Sequence, residues 1–474
     1  MSLNDDAGFF PCGVYWPWGK RTEANAKSVN LDIWSYTEQL MKILKQYEVN
    51  LIWVIHMPLD TLPGFCKLAS SVGIKVIASC DISEMLPDSK PDTLNSIAMK
   101  ITSQWKDLDA LIGYVGLDEP QCWDMLIMNK LARQMKRLDP SRFFSIVVRP
   151  HEMSQAINSL EMDTITVDPY CFFFDNIPWY EDIGQAASQE RYINRIMTAG
   201  RLAARHNKKC WSMPHCFGEI NGTFYLDQAS GKVIVQPGSM LNFRMTSDQE
   251  ISWQIWTAII HNIKGIIPFV LLPPELPRKV ARVKNPVSKE EWWTRFVNVS
   301  EPTAIDPTLA LMDEGLTPST QFKTVRTIFK ELKKHEKMIM QGTPSYPLLY
   351  GSGNITAATF ITPDDEIFAV VVNNNLEQDV CENLSLSSCI AEIDDSYGNN
   401  LQITQHCPFN QIQLKLAAGS GMILRMKADP LTHCLINSFD FAAEYAEDMP
   451  PGKLVNSHIK SYPESKNINA VVVN

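Results

Sequence analysis

No stretch of this chain is both long enough and apolar enough to cross a membrane as a helix. The longest apolar region, Ile251 to Leu272, is broken by His261, Lys264 and Gly265 and reads as a helix followed by a strand. A basic stripe is missing as well. The 474 residues carry 43 Lys and Arg against 53 Asp and Glu, a net charge of -10, which argues against the phosphate neutralisation that a nucleic-acid partner needs. The densest basic run, Lys330 to Lys337, alternates with Glu331 and Glu336 and reads as a solvated helix face. The 11 cysteines are scattered singly without a C-x-x-C pair, so neither a zinc knuckle nor a redox motif is supported. Cys80, Cys171, Cys210 and Cys216 fall in apolar runs and read as small buried thiols. There is no G-x-G-x-x-G after the first strand, no P-loop, no H-E-x-x-H and no Ser-His-Asp ordering, which disfavours a dinucleotide fold, acyl transfer and zinc hydrolysis. No signal-peptide pattern is present. Met1 to Leu3 read as an expression scar, which leaves a secreted or periplasmic location open if an export signal preceded it, and a cytoplasmic one otherwise.

What remains is ample core material, with 45% of residues hydrophobic and 20% charged. Strand-like runs fall at Phe9 to Trp16, Asn50 to Met57, Ile74 to Cys80, Ala110 to Leu117, Phe143 to Val148, Thr164 to Val167, Lys209 to Met213 and Ile266 to Leu271. Helical patterns separate them: Tyr36, Leu40, Ile43, Leu44 and Tyr47 share one face, and Ser247 with Glu250 forms a capping box ahead of Ile251, Ile255, Ala258 and Ile259. Near-continuous apolar strands alternating with helices imply a buried parallel sheet, and eight such repeats predict closure into a (β/α)8 TIM barrel over residues 9–340. Pro273 to Val299, with Trp292 and Trp293, reads as a long rim loop, and a helix from about Pro318 to Met340 follows. From Pro347 short alternating strands (Ala357 to Ile361, Ile367 to Val372, Gly419 to Met426) predict a small antiparallel β-sandwich over 345–427; the tail, 428–474, stays unassigned.

The most informative stretch is Ala110 to Gln121, an apolar run ending in Asp118, Glu119 and Pro120 directly before a helical pattern. Pro120 ends the ladder and fits a first helical turn, so two carboxylates are delivered to the C-terminal rim, where barrel active sites are built. Taken alone, an Asp-Glu pair before Pro also serves as a helix cap. The other predicted strand ends carry His56, Asp81, Arg149 and His151, Asp168 and Tyr170, His215 and Glu219, with Glu275 past the last strand. Singly these have plain readings: His56 as a packed core histidine, Asp81 as a cap, Arg149 as the partner of a carboxylate. Together they describe an acidic pocket. With 12 Trp and 13 Tyr in the chain, Tyr15 and Trp16 on the first strand add aromatic walls suited to sugar faces.

Four segments carry a resemblance to a known family: L-D-E-P at Leu117 to Pro120, D-P-Y at Asp168 to Tyr170, W-S-M-P-H-C-F-G at Trp211 to Gly218, and Trp253 to Phe269. They resemble the glycoside-hydrolase-like (β/α)8 barrels related to clan A glycosidases, over roughly residues 9–340. The resemblance implies a hydrolase acting on an oligosaccharide or polysaccharide, with no cofactor and no metal. It places Glu119 as acid/base and Asp118 where the family has the Asn that holds the sugar 2-hydroxyl. At the family's nucleophile position this chain has Pro214, His215 and Cys216. Glu219 is therefore the candidate nucleophile and Asp168 the alternative second carboxylate, with Asp118, Tyr15, Trp16, His56, Asp81, Arg149, Tyr170 and His215 as substrate contacts. Two other readings stand beside it: a catalytically silent carbohydrate-binding barrel, and a lyase or isomerase holding a divalent ion with Asp81, Asp118 and Asp168. Oligomeric state is open.

Overall fold

A computed structural model describes residues 9–428 apart from 56, 80–90, 121, 150–151, 160, 163, 175–184, 277–280, 284–298, 352 and 406–408. His56, Asp81, His151, Trp292 and Trp293 therefore lie outside the described residues, as does the tail 429–474. The chain divides into two compact units, Met1–Gln341 and Gly342–Asn474.

The first unit is mixed α/β. Its centre is a curled parallel sheet of seven strands in sequential order: β1 (Gly13–Pro17), β2 (Leu51–Ile55), β3 (Lys75–Ala78), β4 (Leu111–Asp118), β5 (Phe143–Val148), β6 (Thr164–Val167) and β7 (Lys209–Ser212). The strands are apolar on both faces because both are covered, as parallel sheets require. One face packs on itself: Tyr15, Trp53, Ile77, Val115, Phe143, Val147, Trp211 and Met213 share a single core. Side chains alternate along a strand, so the neighbour of Tyr15 must point the other way. Trp16 accordingly packs its ring against Trp18 and Phe65 and donates from Nε1 to the Thr22 hydroxyl at 2.9 Å. Its expected role as a sugar contact is corrected on this ground: it is fully buried on the helix side.

The eighth expected strand is a bridging segment. Gly13 N–H donates to the Ile266 carbonyl (2.8 Å) and Leu271 N–H to that of Tyr15 (2.9 Å), while on the other edge Ser212 N–H donates to Gly265 and Cys216 N–H to Phe269, each at 2.9 Å. Both edge strands thus bond the same stretch. Pro268, lacking an N–H, interrupts the regular ladder.

The helix Ile33–Gln46 buries Tyr36, Leu40 and Leu44, and Asp32 caps it. At Asp248–Ile260 the capping box forms, Ser247 accepting from Glu250 N–H and the Glu250 carboxylate from Ser247 N–H. Helix Gln185–Arg205 comes close to its neighbour at Gly200, where an added Cβ would lie 1.9 Å from the His261 carbonyl oxygen. The helix-propensity gain of Gly→Ala is about 1 kcal/mol, but a backbone overlap of this size cannot be relieved by a rotamer change. Gly200→Ala is expected to destabilise the unit by about 2–4 kcal/mol, read as a lower midpoint in urea unfolding.

An antiparallel sheet absent from the sequence reading follows β7. Ile220–Leu226, Val233–Val235, Met240–Leu241, Ala281–Val283 and Thr303–Ile305 pair around a core of Phe224, Val233, Val235, Leu241, Leu276, Val299 and Leu309. The expected rim loop from Pro273 is therefore in part strand, since Ala281–Val283 pairs with Gly222–Phe224. The second unit contains two antiparallel sheets, of five and four strands, sharing one apolar core that includes Leu349, Ala369, Val371, Leu384, Ile412 and Leu424. Among the described residues no helix is long and apolar enough to cross a membrane.

Candidate active site

The C-terminal end of β4 delivers Asp118 as the last strand residue, and the chain then turns sharply. Glu119 sits at φ 45°, the left-handed region that costs a non-glycine residue about 1–3 kcal/mol. Pro120 follows, so the ladder stops and both acidic side chains stay at the rim, exposed. Two strands on, Asp168 leaves β6 into a tight turn in which Tyr170 N–H donates to the Asp168 carbonyl at 2.9 Å. Arg195 fixes that turn by donating to the Tyr170 carbonyl at 2.8 Å.

These turns bring two carboxyl groups near each other. Glu119 lies close enough to act on Asp168 electrostatically, and Asp168 Oδ1 is buried with no hydrogen-bond partner among the described residues. Asp168 is 6% exposed. Burial first, then Glu119 and the charge of Asp118, push its pKa well above the usual carboxylate range. The Tyr15 hydroxyl donates to Asp118 Oδ2 at 3.1 Å; burial and the neighbouring Asp118 hold it as the phenol. Tyr170 is likewise held neutral, by burial and then by the charges of Asp168, Asp118 and Glu119.

Arg149 lies close enough for its charge to be felt by Glu119 and Asp168, yet it is bonded elsewhere: Nη2 to Glu152 Oε1 at 2.8 Å and Nε to Oε2 at 3.1 Å. Asp168 is thus not neutralised by an Arg149 salt bridge. Behind the carboxyls stands an aromatic wall in which Tyr170 meets Phe217, Phe243 and Phe269 at ring separations of 5.0, 5.7 and 5.6 Å, and Tyr15 meets Phe269 at 4.6 Å.

Two expected site residues are employed differently. Glu219 accepts from the side-chain amides of Asn221 (3.2 Å) and Asn242 (2.8 Å), at the start of the antiparallel sheet that sequence reasoning missed. Among the described residues its carboxylate is bonded to these two amides, so the expected nucleophile is engaged as a support of that sheet. His215 is fully buried; Nδ1 accepts from Phe172 N–H at 3.2 Å and Nε2 faces the Phe217 carbonyl at 2.9 Å. With both nitrogens committed to backbone, it holds the aromatic wall and has none left for a sugar hydroxyl. The structure brings together Asp118, Glu119, Asp168, Tyr15 and Tyr170, with Arg149 beside them. It adds Glu152, signalled only by its spacing of three residues from Arg149, and Phe217, Phe243 and Phe269.

Burial lowers the pKa of His215 and of His261 to about 3 from an ordinary 6.5. A histidine held neutral contributes stability above the unfolded-state value that is lost as protonation is forced on it. Unfolding free energy is therefore expected to fall as pH drops from ~6.5 towards 3, with Asp168, protonated when folded, working in the opposite sense. In the Asp168→Asn variant, which lacks that opposing contribution, a flat urea-stability profile from pH 7 to 4 would contradict this.

Among the described residues no three His, Cys, Asp or Glu groups gather in an arrangement that could hold a metal ion. No protein-family model matches the chain, and no curated protein matches it in sequence. Solved structures do: the chain has a glycosidase-like fold. A protein described as a glycoside hydrolase is 12% identical with a TM-score of 0.51, the match covering 89% of this chain and 93% of the other. The β-glucuronidase of Ruminococcus gnavus, solved with D-glucuronic acid, is 10% identical (TM-score 0.43), covering 68% of this chain and 49% of its own. The β-D-glucuronidase of Dictyoglomus thermophilum is 12% identical (TM-score 0.44), covering 68% and 50%. The chain spans about half the length of these two enzymes.

Proposed function

We propose that this chain is a glycoside hydrolase acting on an oligosaccharide or polysaccharide, with a (β/α)8 barrel that carries the site and an attached β-sandwich. The bridging stretch 265–271, bonded to both β1 and β7, supports the closed barrel. The observation that carries the function is that Glu119 and Asp168, one exposed and one buried, lie near each other at the rim of the parallel sheet. Glycoside cleavage needs two carboxyl groups about the scissile bond, ~5–5.5 Å apart when one attacks carbon and ~6.5–9.5 Å apart when one activates an intervening water. Tyr170, Phe243 and Phe269, the half-buried members of the aromatic wall, offer apolar surface to a sugar face.

The binding-only barrel would gain if Asp168 were sequestered by Arg149; Arg149 is instead bonded to Glu152, leaving the pair intact. The test is turnover by the wild-type chain on panels of aryl glycosides and natural glycans. Release of a free sugar is the expected result, and inactivity across both panels would sink the hydrolase reading.

A further inference from the structure

Arg149 leaves β5 between the two strands that deliver the carboxyl groups, β4 with Asp118 and Glu119 and β6 with Asp168. The register fixes how close they start. Asp118 pairs with Val147, and Val148 with Val167, so Arg149 and Asp168 leave neighbouring strands side by side while Glu119 leaves on the other flank. Neighbouring strands lie ~4.8 Å apart, well within the reach of an arginine side chain. A guanidinium forked onto either carboxyl would hold it ionised and occupy the oxygens that the reaction needs.

Its fork is closed elsewhere. We propose that Glu152 is a positioning residue, which keeps the Arg149 cation off Glu119 and Asp168 and thereby sets the pH range in which those two groups work. The inference rests on the hydrolase reading above.

The geometry of the pair carries it. Arg149 donates from Nη2 to Glu152 Oε1 at 2.8 Å and from Nε to Oε2 at 3.1 Å, so both edges of the fork are used. Glu152 cannot drift from that place, because its own N–H donates to the Arg149 carbonyl at 2.9 Å and the helix Met153–Ser159 starts at the next residue. An exposed Arg-Glu pair three residues apart would carry little meaning. Here the side chains are 25% and 10% exposed, so water screens the pair weakly and its internal cancellation of charge is felt by the neighbours. The charged groups that act on Arg149 are Glu152 from its own turn, Glu119 from the end of β4 and Asp168 from the end of β6, with Asp118 beside Glu119; Tyr170 stands there as a neutral phenol. His151 lies outside the described residues. Without Glu152, the Arg149 cation would face the working carboxyls uncompensated, and each would give up its proton at lower pH.

Two readouts on the full chain test this. One is the pH–rate profile on a glycoside that the wild type cleaves; the other is the carboxyl ¹³C NMR titration of Asp168, identified by its loss in Asp168→Asn. In Glu152→Gln both limbs of the profile, and the Asp168 titration, are expected to move down by ~1 pH unit or more. Arg149→Gln leaves no cation there and should move neither readout down. The double variant Arg149→Gln/Glu152→Gln should return both from the Glu152→Gln values towards those of the wild type. If Glu152→Gln does not fold, Glu152→Asp carries the test: its shorter side chain cannot keep both bonds, and the downward shift should be smaller. A lower rate with unmoved limbs and an unmoved titration is what a merely structural role would give, and it overturns the proposal. So does a double variant that keeps the downward shift, since the shift then owes nothing to Arg149. A wild type inactive on every glycoside would fail the hydrolase reading, while the Asp168 titration would still support or overturn the part given to Glu152.

Discussion

Glu119→Gln is expected to lower turnover of any glycoside the chain cleaves by ~10³-fold or more, with little change in thermal stability. The amide matches the carboxylate in size, so the turn at Pro120 and the backbone at φ 45° are undisturbed. What it cannot do is give or take the proton that the reaction moves. Because Glu119 is exposed, the substitution removes no packing. Circular dichroism and thermal melting beside the kinetic assay separate loss of chemistry from loss of fold. A variant within tenfold of the wild type would remove Glu119 from the reaction.

Asp168→Asn should act on rate and on stability in opposite directions. In the unfolded chain an Asp ionises near pH ~3.9, whereas in the folded protein burial and then Glu119 hold Asp168 protonated well above that. A carboxyl whose folded pKa is raised contributes fully below the unfolded value, and that contribution is lost as pH rises towards the folded one. The wild type therefore loses ~1.4 kcal/mol per pH unit through this window relative to a side chain that cannot ionise. The Asn variant is expected to match the wild type near pH 3 and to be increasingly more stable from pH 4 upward, while turnover of unactivated glycosides falls ~10²- to 10⁴-fold. Equal stability of the two proteins at pH 7 would show that no uncompensated carboxyl is buried there. The trade is one seen where strained or desolvated groups are held for chemistry.

Much of this was legible in the sequence. Seven parallel strands lie within a few residues of their apolar runs, because strands covered on both faces need apolar residues at every position and leave an unmistakable texture. Asp118, Glu119, Asp168 and Tyr170 fell where the strand ends put them, since β4 and β6 each stop at a proline turn. The rest needed three dimensions. Trp16 and Tyr15 are adjacent in sequence, and only the pleat sends one to the helix layer and the other to the inner core. Glu219 followed a barrel strand in sequence, but the hairpin from Ile220 to Val235 recruited it; the alternation of Ile220 to Leu226 and the turn at Asp227 to Gly231 were the signal that passed unread. His215 carries a chemical side chain at a strand end, yet its burial and its two backbone partners follow from residues 172 and 217, which no local pattern joins to it. The regularity of Ile266 to Leu271 was overread because its single proline breaks the ladder without breaking the apolar run.

The central claim is that Glu119 and Asp168 are the two working carboxyl groups of a glycoside hydrolase. Its most direct test is turnover of Glu119→Gln, Asp168→Asn and the double variant beside the wild type, on a glycoside that the wild type cleaves. The expected result is a loss of ~10²-fold or more in each single variant, with little further loss in the double variant beyond the larger of the two. A single variant within tenfold of the wild type, or a Glu219→Gln variant that loses as much as either, would contradict it.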